Sequence, residues 1–139
     1  MLRATCAAAL IFASLLSGCS GKRSVSNEKL KSAATEIVSI ASEGELFAVA
    51  ADENRAPTRY ARGHPEYLRK QAQDVVKELA PGQREFGGQD QVDQLRQAAT
   101  RLLEILDALP ATAGDPRWQQ TRSELDNIRR NAEEIRRTF

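Results

Sequence analysis

The sequence predicts an all-α fold, an up-down four-helix bundle, on three observations. Apolar residues recur at alternating steps of three and four along four separate stretches. Prolines and glycines punctuate the gaps between those stretches. No run shows the period-two alternation of a half-buried strand. Short connections between helices of similar length make successive helices antiparallel neighbours. A length of 139 residues fits one domain and excludes a large multidomain enzyme.

The first helix is expected over residues 27–54. Its seam is Leu30, Ala34, Ile37, Ala41, Gly44, Ala48 and Ala51, widened by Ala33, Ile40 and Phe47. Side chains this small let a neighbouring backbone come close. Val38, Leu46 and Val49 lie about 100 to 180 degrees from Ile37 at 100 degrees per residue, so the helix is apolar on more than one side. Either neighbours within the domain flank it, or the second stripe is a contact surface for a partner.

The second helix carries Ala61, Leu68, Ala72, Val75 and Leu79, with Tyr60, His64 and Tyr67 at its upper end. Two starts compete. Pro57 and Pro65 each suit a first helical turn, and a helix that begins near Pro57 must run through Pro65, losing a hydrogen bond and crowding the Ala61 carbonyl. The apolar spacing that continues upstream through Tyr60 favours the longer, kinked helix. Ala80-Pro81-Gly82 ends it. A loop over residues 83–89 follows, with Gly87-Gly88 and with Phe86 as a plug for the bundle end.

The third helix opens at Asp90, whose carboxylate can cap, and bears Val92, Leu95, Ala99, Leu102, Leu106 and Leu109 before Pro110 stops it. Asp115-Pro116 starts the fourth helix, Asp as cap and Pro in the first turn. Its seam is Trp118, Thr121, Leu125, Ile128, Ala132 and Ile135.

The segment ahead of these helices has a different character. Arg3 is followed by an apolar run over residues 4–16 and then by Leu16-Ser17-Gly18-Cys19. That run is shorter than the roughly 20 residues a membrane-spanning helix needs, so it reads as a cleaved targeting segment. It resembles the signal peptide of bacterial lipoprotein precursors, whose lipobox is Leu, two small residues and an invariant Cys. The resemblance covers the first 20 residues. It implies cleavage between Gly18 and Cys19, a diacylglyceryl group on the Cys19 thiol and acylation of the new amine. By similarity with Gram-negative lipoproteins, Ser20 in place of Asp after the Cys implies export to the periplasmic leaflet of the outer membrane.

The expected organisation is therefore a signal peptide over 1–18, the lipidated Cys and a flexible tether over 19–27, and the bundle over 28–139. Gly21, Ser24 and Ser26 suit the tether. Its Lys22 and Arg23 are either ordinary solubilising charges or contacts to anionic headgroups worth about 1 kcal/mol each. Cleavage removes Arg3 and Cys6, leaving 121 of the 139 residues with 19 basic and 19 acidic side chains. With Cys19 consumed as the anchor, the mature chain has neither a disulfide nor a free thiol, and packing must hold it together.

Few residues carry chemistry. His64 is the single histidine, with Glu43, Glu45, Asp52, Glu53 and Glu66 as carboxylates to join it. Ferritin-like bundles bind metal through paired Glu-x-x-His motifs, but position 61 is Ala and there is no second His. No metal or cofactor is expected. The sequence has no nucleophile turn and no phosphate-cradling glycine loop, so no catalytic residue is expected either. Arg129-Arg130 and Arg136-Arg137 alternate with Glu124, Asp126, Glu133 and Glu134. Such interleaving marks a solvated helix face and not a nucleic-acid surface. Two function classes follow. The first is a non-enzymatic structural or interaction lipoprotein that recruits an envelope protein through Val38, Leu46 and Val49. The second is a small-ligand or metal binder that uses the Tyr60, His64, Tyr67 and Pro65 region as a pocket at the kink.

Overall fold

The computed structural model describes residues 26–80 and 89–139. The targeting segment, Gly18, Cys19 and most of the tether lie outside the described residues, as do Pro81-Gly82, Phe86 and Gly87-Gly88. Among the described residues there are four helices and no strand: α1 (Asn27–Asp52), α2 (Thr58–Glu78), α3 (Gln89–Asp107) and α4 (Arg117–Arg136). None of them is long and apolar enough to cross a membrane.

Each boundary has a local cause. Ser26 caps α1 by accepting the Lys29 N–H at 3.3 Å. The helix stops when Asn54 turns into the left-handed region, φ 53°, a conformation that Asn tolerates better than most residues. The amides of Arg55 and Ala56 then donate back to the Ala50 carbonyl at 2.7 and 3.1 Å, satisfying an end of the helix. α2 takes the longer form: it begins at Thr58 and runs through Pro65. Packing supports the upstream turn, since the Tyr60 ring lies 5.8 Å from that of Phe47 on α1. α3 begins at Gln89, one residue before the expected Asp90, which places that carboxylate in the first turn beside the partial positive charge of the helix end. At α4 the helix proper begins at Arg117, while the capping is done by Asp115, whose Oδ1 accepts the Arg117 N–H at 2.9 Å.

The helices form an antiparallel bundle. α1 packs on α4 and α2, α3 packs on α2 and α4, and α1 also touches α3 across the diagonal. The pairs Glu45–Arg129 and Asp52–Arg122 fix the antiparallel sense of α1 and α4. Arg101–Glu124 ties α3 to α4 and Arg69–Asp107 ties α2 to α3, and the short connections turn each helix back on the one before. Asn27, Glu78, Gln89 and Arg136 therefore lie at one end of the bundle, called here the N-terminal end. Asp52, Thr58, Asp107 and Arg117 lie at the other, the far end.

The seams read from the sequence become the core. Leu30, Ile37, Ile40, Leu68, Leu95, Leu102 and Leu125 are fully buried, as are Ala34, Ala41 and Ala48. Leu109 and Ala51, the last positions of their seams, are only half-buried. Ala98 and Ile105 are buried beyond the expected seam of α3, because that helix faces α1 as well as its two neighbours. Gly44 marks the tightest approach. A Cβ there would stand 3.3 Å from Leu125 Cδ1, so the α4 side chain fills the space that glycine leaves.

That contact makes Gly44→Val a sharp probe. Overpacking should lower stability by about 1–3 kcal/mol in urea unfolding, whereas Leu125→Ala should cost about 2–5 kcal/mol through the cavity it leaves. The double variant should lose less than the sum of the two, because the smaller residue at 125 makes room for the larger one at 44.

Candidate functional site

Two features meet at the far end of the bundle, on opposite flanks of α2. On the α1 flank, Tyr60, His64 and Tyr67 recur at steps of four and three and stack along the helix. The Tyr60 and His64 rings are 4.4 Å apart at 21°, and those of His64 and Tyr67 are 6.1 Å apart at 28°. Phe47 of α1 backs this row, 5.9 Å from His64, and itself meets Trp118 of α4 edge-on at 6.2 Å. The three residues expected to form a pocket are thus brought together, but as a stacked row and not around a cavity. Tyr60 and Tyr67 are 39% and 53% exposed, while the His64 side chain is only 15% exposed.

The polar atoms of the row are unevenly satisfied. Gln71 Nε2 donates to the Tyr67 hydroxyl at 2.9 Å. His64 Nε2 is buried without a hydrogen-bond partner among the described residues, and the Glu43 carboxylate stands 3.8 Å away. That separation is too long for a hydrogen bond and close enough for an electrostatic contact if the imidazole is protonated. Burial first, and the charge of Glu43 second, push the Tyr60 phenol above its ordinary value. Among the described residues no three His, Cys, Asp or Glu side chains gather in a way that could hold a metal ion.

On the α3 flank of α2 lies a cleft of about 400 Å³. Its base is built from Phe47, Pro65, Leu109 and Trp118, with Arg62 and Arg69 along the α2 side. One wall is the α3–α4 connection, which is pinned at several points. The Trp118 indole N–H donates to the Thr112 carbonyl at 2.8 Å. The Gly114 amide reaches both the carbonyl and the carboxylate of Asp52, at 3.1 and 3.2 Å. Gly114 has φ 74°, where a side chain would be strained.

Of the pocket expected at the kink, only Pro65 lines this cleft; Tyr60, His64 and Tyr67 do not. Arg62 and Arg69 were not expected there, although their spacing, seven residues apart with Pro65 between them, puts both guanidiniums on one flank. The expected partner stripe separates in the structure. Val38 is half-buried and packs against the core, Val49 is half-buried, and Leu46 stands 70% exposed. α1 therefore spends much of its second apolar side on α4 and leaves Leu46 to solvent.

Comparison with known proteins brings no neighbour to this arrangement: no family model, curated protein or solved structure matches the chain.

The wall of the cleft has a pH signature. Hydrogen bonds from the Arg117 guanidinium first, and from its backbone amide second, hold the Asp115 carboxyl below its ordinary value of 3.8. A lowered carboxyl pKa adds stability that is complete above the unfolded-state value and is lost as pH falls through the folded one. Asp115→Asn should therefore lower the thermal midpoint at pH 7. The deficit should close on titration below pH 3.8, where the native carboxyl takes up its own proton.

Proposed function

We propose that this protein is a lipid-anchored bacterial envelope lipoprotein that acts as a non-enzymatic interaction module, facing the periplasm from the outer membrane. The observation that carries the reading is Leu16-Ser17-Gly18-Cys19, placed directly after a short apolar run. Each buried methylene contributes about 0.8 kcal/mol, so two or more acyl chains on Cys19 make attachment effectively permanent where one would be marginal. The protein body offers a surface for recruitment: among the described residues the most exposed large hydrophobic side chain, Leu46, sits on the helix that follows the tether.

Metabolic labelling with a palmitate analogue tests the anchor: wild-type protein should be labelled and membrane-bound, and Cys19→Ala should be unlabelled and released. Retained labelling of that variant would sink the lipoprotein reading. The partner surface is tested by crosslinking in intact cells. Leu46→Glu should abolish an envelope-protein adduct while leaving the helical melting curve unchanged, since that side chain is 70% exposed.

A second reading, binding of a small ligand at the His64 row, has one specific observation in its favour: the buried, unpartnered Nε2 beside Glu43. A bound group that accepts or donates a hydrogen bond there would satisfy an atom the fold leaves orphaned. On that reading a ligand's stabilising effect must disappear in His64→Ala.

A further inference from the structure

We propose that the cleft between α2 and the α3–α4 connection is a binding site for a small amphipathic anion, a carboxylate carried on an aryl or short alkyl body. The site is separate from the Tyr60–His64–Tyr67 row: Pro65 lines it, and those three residues do not. Its size falls within the range of small-molecule pockets. Eleven of the sixteen lining residues are apolar, of which Phe47, Leu106 and Trp118 lie buried beneath the surface and Pro65 and Leu109 are half-buried; the charged ones are Arg62, Arg69 and Asp107.

The preference for an anion comes from the two arginines. Arg62 is exposed and makes no ion pair or hydrogen bond among the described residues. Arg69 is held only loosely, 3.3 Å from Asp107 and 3.7 Å from Glu66, both of which are well exposed. A ligand carboxylate can therefore take a guanidinium without stripping a buried partner, and Arg offers it two parallel donors. The apolar body of the ligand would lie against Pro65 and Leu109 above the buried Phe47 and Trp118 rings. Little ordering is needed on binding, because the Trp118–Thr112 and Gly114–Asp52 hydrogen bonds already hold the wall in place.

Trp118 is the sole tryptophan of the chain and lines the cleft, so its emission reports occupancy directly. The full chain is titrated with 4-phenylbutyrate, with the neutral 4-phenylbutyramide, and with phosphatidylglycerol vesicles as a lipid source of anionic charge. Saturable quenching by the acid is expected, at least tenfold weaker for the amide. Arg62→Ala and Arg62→Gln should each weaken acid binding about tenfold with an unchanged melting curve, and Arg59→Ala, outside the cleft lining, should leave binding as it was. Equal binding of acid and amide, absence of saturation, indifference to both Arg62 substitutions, or a response to vesicles alone would each overturn the proposal.

Discussion

The close contact between α1 and α4 is the constraint on which the rest of the molecule depends. Along α1 the buried positions interleave Ala33, Ala34, Ala41, Gly44 and Ala48 with larger side chains, and Gly44 lets Leu125 sit against the helix backbone. Close approach increases dispersion contact per unit length and removes water from both helices at once. It also lets α1 reach α3 across the diagonal, which a row of leucines in those positions would prevent. Among the described residues the buried side chains are apolar apart from Thr121, so inside the core no ion pair or polar network sets the fit of α1 on its neighbours. Shape complementarity at this contact has to do that work.

Charge contributes in a different way. Among the described residues many ion pairs run along single helices at steps of three or four, such as Lys77–Asp74, Arg101–Glu104 and Arg69–Glu66. Exposed pairs of this kind add at most a few tenths of a kcal/mol each. The pairs that cross between helices have a directional role. Arg129–Glu45 and Arg122–Asp52 lie seven residues apart on both α1 and α4. A slip of one turn would break both together, so they select a register that apolar packing alone distinguishes weakly. On the α1–α2 side the charges oppose each other. Glu36 is raised above its ordinary value of 4.5, by burial first and then by Glu78 and Asp74. That flank is thus held by its apolar residues against a local electrostatic cost.

How much of this was legible in the sequence follows from the range of each interaction. The α4 seam from Trp118 to Ile135 was readable in full, because periodicity is a local property and every third or fourth residue reports it. The passage of α2 through Pro65 was favoured by the spacing at Tyr60, but its cause is tertiary: Phe47 gives the upstream turn something to pack on. Val38 and Leu46 shared one expected surface, yet only the position of α4 decides that one packs and the other faces water. The cleft lay further still from local signals. It requires the rotation of α2 against α3 and a hydrogen bond from an indole to a carbonyl six residues earlier, neither of which leaves a pattern in the chain.

The placement of aromatic residues gives the two ends of the bundle different characters. Phe47, Tyr60, Tyr67 and Trp118 all belong to one connected set of rings in the half toward the far end, while alanine and glycine line the stretch of α1 before it. Large rings cannot pack as closely as the Gly44–Leu125 contact, so the far end closes through a second, smaller apolar cluster of Phe47, Ala48 and Trp118. There the covering is completed by a loop and not by helix against helix. An even number of helices puts the start of α1 and the end of α4 at the opposite end. Phe47, which backs the aromatic row, stands about 30 Å along α1 from Asn27 at 1.5 Å per residue. The same helix serves both ends: α1, which packs on every other helix, also delivers Phe47 to the far end.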